Sequence, residues 1–103
     1  DPGFQQGSAD RALGRWYFKV PGLFGGSRDR AVEHLQRSLR YNPASTVTHF
    51  FLAEVFVDMK RDDEARRALT AVLDAPLDPA WAPEDREFKA KAAALLRTLS
   101  PPR

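Results

Sequence analysis

Apolar residues recur at helical spacing in five stretches of the chain, and short segments rich in Pro, Gly or Asn separate them. The most apolar stretch, residues 49–73, reads as two helices joined by a tight polar turn. The first of these helices is apolar on more than one face, so we expect neighbours to contact it on several sides. The pattern predicts an all-α fold of about five helices.

Helix boundaries follow from capping residues and breakers. We expect the helices to end at residues 19, 41, 59, 74 and 99, because segments with Pro or Gly follow four of these positions and a polar turn follows Met59. The residues expected to start them are Ser8 or Asp10, Ser27, Ser45 or Thr46, Asp62, and Pro83. Residues 1–7 hold one Pro and two Gly, and we expect a flexible lead-in there.

The first predicted helix carries Leu13, Trp16 and Tyr17 as its expected buried side chains. A loop over residues 21–27, PGLFGGS, follows it and places Leu23 and Phe24 among three glycines. Apolar surface is usually hidden, so we expect these two side chains to fold back onto the helices. The alternative is an exposed contact patch at the loop tip.

The chain repeats itself. Ala31, Leu35 and Leu39 recur 34 residues later as Ala65, Leu69 and Leu73. The sequence Leu-Gly-x-x-Tyr at residues 13–17 recurs as Leu-Ala-x-x-Phe at residues 52–56, and the longer 21–27 loop accounts for the different spacing. Small residues at the crossing of two helices allow a close approach, and the large apolar neighbours then fill the flanking volume.

This period and these positions resemble the tetratricopeptide repeat. The resemblance implies a first repeat over residues 8–43, a second over residues 46–79, and a capping helix over residues 83–99. Residues 8–103 would then form a single domain. The second copy departs from the pattern at His49, where a Trp is common, and at Ala53, where Gly is common.

A narrower resemblance rests on two strings, GRWYFKVPGLFGGS at residues 14–27 and WAPEDREFKAKAAALL at residues 81–96. They look like the T-component proteins of periplasmic TRAP-type solute transport systems. That resemblance implies an accessory protein that docks to a periplasmic solute-binding protein, and it favours a periplasmic or envelope location over a cytoplasmic one. The chain begins at Asp1 and not at Met, which we expect to reflect either a removed signal segment or trimming.

Composition narrows the function classes. The 16 basic and 14 acidic residues are interleaved, with no run of like charge, so nucleic acid is not an expected partner. There is no Cys, which excludes disulfides and thiolate metal sites. No apolar run approaches the ~20 residues that span a bilayer.

No catalytic motif emerges. The two histidines, His34 and His49, lie on different helices without metal-binding spacing, so we expect structural roles for both and no metal or cofactor. The 21–27 loop lacks the Lys of a phosphate-binding loop and follows a helix. Glu54, inside an apolar helix, pairs with an Arg of the first repeat or contacts a ligand; these alternatives are evenly weighted.

In tetratricopeptide arrays the first helix of each repeat lines a concave groove. That resemblance implies that the groove is lined by Ser8, Arg11, Arg15, Phe18, Lys19, Val47, Phe50, Glu54, Val57 and Asp58. The basic residues of the first helix are four apart and can hold an acidic group. A solvated basic face is the alternative, and it is the favoured one.

The sequence therefore predicts a non-catalytic protein-interaction module, an accessory or adaptor subunit that binds a protein or peptide through its groove. The alternatives are a self-assembling or structural subunit of a larger complex, and a periplasmic accessory protein of a solute transporter. Leu23 and Phe24 are the predicted loop contact.

Overall fold

The computed structural model describes residues 2–76 and 82–99, with side chains over residues 8–76 and 83–99. These residues contain helices and no strand, which confirms the predicted all-α fold for this part of the chain. Five α-helices follow one another: α1 Pro2–Lys19, α2 Arg28–Tyr41, α3 Thr46–Asp58, α4 Asp62–Asp74 and α5 Ala82–Thr98, with a 3-10 turn at Gly22–Phe24 between α1 and α2. The predicted end of the second repeat, at residue 79, lies outside the described residues.

Serine side chains start α2 and α3, as predicted. The Ser27 hydroxyl accepts a hydrogen bond from the Arg30 amide at 3.2 Å, and the Ser45 hydroxyl accepts one from the Thr48 amide at 3.3 Å. The start of α4 differs from the prediction, because Asp62 is already the first helical residue and makes no cap. Its negative charge instead stabilises the positive end of the helix dipole.

Helix α1 begins at Pro2, well before the expected start at Ser8 or Asp10. Residues 2–7, for which a lead-in was predicted, are therefore helical. Proline suits a first helical turn, because its missing amide hydrogen would have no partner there. The glycines at positions 3 and 7 reduce helix stability by about 1 kcal/mol each without forbidding the helix.

The chain divides into two compact units, Asp1–Pro43 and Ala44–Arg103. A single domain over residues 8–103 stays a prediction, as does the assignment of the two helix pairs to the tetratricopeptide repeat.

In the first unit, α1 packs against α2. The helices approach closely at Gly14, where an added Cβ atom would lie 2.6 Å from Cγ of Leu35 and 3.1 Å from the Ala31 carbonyl oxygen. Ala31 and Leu35 are fully buried. The predicted small-residue crossing of the first repeat is confirmed by this contact.

The same crossing corrects two predicted core residues, since Leu13 is 45% exposed and Trp16 is 48% exposed. Successive residues are about 100° apart around a helix, so a helix that faces α2 with Gly14 turns Leu13 to its flank and Trp16 to its far side. Of the three predicted core positions on α1, only Tyr17 faces α2, where its ring stacks on His34.

In the second unit, α3 packs on both α4 and α5. This arrangement confirms that the most apolar helix has neighbours on several sides. Ala53 and Ala65 are fully buried, as expected for the small residues of the second copy. Phe50 is also buried, and its ring centroid lies 5.6 Å from that of Phe88 on α5.

Polar side chains attach α5 to the other helices of this unit. The Thr46 hydroxyl, at the start of α3, donates to the Asp85 carboxylate at 2.7 Å. The Lys89 ammonium group donates to the carbonyl oxygens of Val72, Leu73 and Ala75 at 2.7, 2.8 and 2.5 Å. These carbonyls end α4, where a cation satisfies acceptors that have no partner within the helix.

We expect Lys89→Met to lower the free energy of unfolding by about 1–3 kcal/mol, because the partly buried carbonyl groups of Val72 and Ala75 lose a charged donor. Lys91→Met on the same helix is the matched control. Lys91 pairs with Glu87 at 3.0 Å between exposed side chains, so this change should cost less than about 0.5 kcal/mol. Urea denaturation followed by far-UV circular dichroism measures both values. Equal losses for the two variants would contradict the capping role of Lys89.

Candidate functional site

The connection between α1 and α2 is a closed turn, which we call the 21–26 loop. The amides of Phe24 and Gly26 donate to the Pro21 carbonyl at 2.9 and 3.1 Å, and the Gly25 amide donates to the Gly22 carbonyl at 3.1 Å. Gly25 adopts φ +101°, which an L side chain rarely adopts, and reverses the chain. The loop is therefore ordered by its own backbone.

The tip of this loop projects into solvent, where Leu23 is 89% exposed and Phe24 is 72% exposed. The prediction that both side chains fold back onto the helices is wrong, and the alternative of an exposed apolar patch is correct. Immediately after the loop, the Ser27 amide donates to the Tyr17 carbonyl at 3.0 Å and fixes the loop base at the end of α1. These hydrogen bonds hold the loop in a tight turn, so its tip cannot reach back to the helices.

Trp16 lies beneath the loop. A Cβ atom added to Gly25 would lie 3.5 Å from Cη2 of Trp16, and the indole ring packs edge-on against Tyr17 with centroids 5.1 Å apart. Half of the Trp16 surface stays accessible. Sequence reasoning missed this role because it assigned Trp16 to the core from its apolar character alone.

Two cations lie at the base of the loop. Lys19 and Arg28 line an open hollow together with Pro21 and Gly22. Lys19 also lies on the predicted basic face of α1, which consists of Arg11, Arg15 and Lys19 at four-residue intervals. Arg11 and Arg15 are partly exposed and Lys19 is exposed. Phe18, the remaining predicted site residue of α1, is partly exposed.

A polar cluster joins α1 to α2 and was not foreseen. The Asp10 carboxylate lies 2.9 Å from Nδ1 of His34 and 3.8 Å from Arg37. The His34 ring stacks on Tyr17 with centroids 5.4 Å apart. Asp10 was one of the two residues predicted to cap the first helix, and the longer α1 places it instead on the face towards α2. His34 thus has a structural position, as expected.

The α3 members of the predicted groove have mixed environments. Phe50 is only 9% exposed and packs on Phe88, so its placement as a partner contact is corrected to a core position. Glu54 and Val57 are partly exposed, and Asp58 is exposed. The groove combines residues of both units, and as a joint surface it stays a prediction.

Among residues 2–76 and 82–99, no three His, Asp or Glu residues converge on a point that would suit a metal ion. Within the same ranges, no helix has the length and hydropathy required to cross a bilayer.

A family model described as TRAP transporter T-component matches residues 1–98, which is nearly the whole chain. This match agrees with the narrower of the two resemblances, and the tetratricopeptide-repeat assignment stays a prediction. No curated protein and no solved structure matches the chain significantly.

The closed loop depends on Gly26, where an added Cβ atom would lie 1.6 Å from the Val20 carbonyl oxygen. We expect Gly26→Ala to lower the free energy of unfolding by about 1–3 kcal/mol, because backbone must move to accept the methyl group. Gly22→Ala is the control, since no atom lies within 4 Å of its added Cβ, and it should stay within about 0.5 kcal/mol of wild type. Thermal unfolding followed by circular dichroism compares them, and an undiminished Gly26→Ala midpoint would contradict this account of the loop.

Proposed function

Because the chain belongs to the TRAP transporter T-component family, we propose that it is a non-catalytic accessory component of a TRAP-type solute transport system. The observation that carries this proposal is the family match over residues 1–98. The proposed partner is the solute-binding protein of the same transport system. An envelope location, on the side of the membrane where solute-binding proteins work, is part of the proposal.

We propose the basic face of α1 as the contact with this partner. Arg11, Arg15 and Lys19 are four residues apart, so they lie along one side of the helix. Arginine presents a planar fork of donors that matches a carboxylate, which gives such a row preference for an acidic surface. Electrostatic complementarity of this kind chiefly sets the association rate and the choice of partner.

The remaining groove positions differ in whether they can contact the partner directly. Phe18, Val57, Glu54 and Asp58 are at least partly exposed and can contact a partner directly. Phe50 is buried and can affect binding only indirectly, by holding α3 against α5 through its contact with Phe88. Substitution of Phe50 would therefore test stability and not recognition, and charge reversal on α1 is the sharper probe.

We expect Arg11→Glu with Arg15→Glu to weaken binding of the TRAP solute-binding protein from the same organism by at least about tenfold, mainly through slower association. Surface plasmon resonance with the immobilised solute-binding protein measures both rates. The matched control is Arg86→Glu with Arg97→Glu, two exposed residues of α5 that change the net charge equally.

The control should bind as wild type does, and the circular dichroism of both variants should match that of wild type. No binding by the wild-type chain would overturn the proposed partner. Equal weakening by both variants would leave the partner in place and remove the α1 face as its contact.

A further inference from the structure

The basic face of α1 does not account for the 21–26 loop, and the small size of the loop tip differs from that of a protein-docking surface. This tip consists of two largely exposed apolar side chains, Leu23 and Phe24, on a convex turn. A stable protein interface buries about 1,200–2,000 Å² in total, with a well-packed central patch. A two-residue convex tip does not offer such a patch, whereas a lipid surface needs no matching shape.

We propose that the 21–26 loop is a membrane-surface contact that inserts Leu23 and Phe24 into the interfacial region of an anionic bilayer. This function goes beyond the proposed binding of a solute-binding protein and does not depend on it. The mode is peripheral: a few apolar side chains enter the boundary between headgroups and acyl chains while the helices stay in water.

Four backbone amides of the loop and its base already have hydrogen-bond partners, which lowers the free-energy cost of bringing them close to an apolar environment. The amides of residues 24–27 all donate to carbonyl oxygens of the chain, at Pro21, Gly22, Pro21 and Tyr17 respectively. A peptide group that enters an apolar environment without a partner carries a large desolvation penalty, and these four donors avoid it. The turn is also ordered before contact, so little conformational entropy is lost on insertion.

The charges around the tip match an anionic surface. Residues 15–30 contain four basic side chains and a single carboxylate, Asp29. Lys19 and Arg28 lie at the base of the loop itself. Basic residues close to a membrane that contains anionic lipid gain from its negative surface potential, and this gain falls with added salt.

Trp16 is a candidate interfacial anchor. Its ring lies against Gly25 and half of its surface is accessible, so the proposed insertion would bring the indole ring close to the bilayer surface. Tryptophan combines a large apolar body with a polar N–H group and is enriched at membrane–water interfaces.

Co-sedimentation with vesicles tests the proposal. Wild-type chain is mixed with vesicles of phosphatidylcholine alone, or with an equimolar mixture of phosphatidylcholine and phosphatidylglycerol. We expect binding to the anionic vesicles that added salt weakens. Leu23→Ser with Phe24→Ser should reduce the partition coefficient at least about tenfold, because the buried apolar area is lost. The matched control is Leu73→Ser with Tyr41→Ser, one Leu and one aromatic residue that are also exposed but lie elsewhere.

Trp16 supplies a second readout. In a Trp81→Phe background it is the single remaining Trp of the chain, and its emission should shift to shorter wavelength with anionic vesicles. Wild-type chain that stays in the supernatant with anionic vesicles would overturn the proposal. So would a loop variant that sediments as wild type does. A loop variant that keeps its vesicle binding but loses the solute-binding protein would also overturn it, by reassigning the loop to a protein contact.

Discussion

The close approach of paired helices at small residues is the constraint on which this fold depends. At Gly14 the backbone of α1 comes so near Leu35 that no side chain fits between them. Ala53 and Ala65 are the corresponding fully buried small residues in the second unit. Close contact of this kind fixes the rotation of each helix about its axis, because the small residue at the crossing must face the partner helix. Every outward-facing residue takes its position from that rotation.

The consequences are clearest in the first unit. With Gly14 turned towards α2, the Asp10 carboxylate and the Tyr17 ring meet His34, and Trp16 is left on the outer side. The same rotation places the carboxyl end of α1 where the 21–26 loop can close on the Tyr17 carbonyl. Two surfaces of different chemistry result, a basic face along α1 and an apolar tip beyond its end. Lys19 belongs to both, so the two proposed contacts are neighbours on one unit.

The second unit uses its apolar residues differently. Most of the hydrophobic side chains of α3 are covered by α4 and α5, and Phe50 joins this core. Lys89 and the Thr46–Asp85 hydrogen bond then hold α5 in register by satisfying polar groups at the helix ends. This unit therefore exposes less apolar surface at a candidate contact than the first one. The contribution proposed for it in partner binding rests on the partly exposed Glu54 and Val57 and on Asp58.

The sequence by itself determined the helices, their serine caps, the paired small residues and the transporter-family resemblance, because each depends on local spacing or on matching residues. The length of helix α1 was underestimated at its amino end. Pro and Gly residues before a capping signal are typical of a loop, but the following turns stabilise the helix here. Only the tertiary structure decided which apolar residues are core. Helical spacing does not tell whether Leu13, Trp16 and Phe50 are buried. Packing at Gly14 leaves Leu13 and Trp16 exposed, whereas Phe50 is buried against Phe88 of α5. The exposure of Leu23 and Phe24 likewise depends on the tertiary structure, because it follows from hydrogen bonds across the loop that the spacing of residues does not predict.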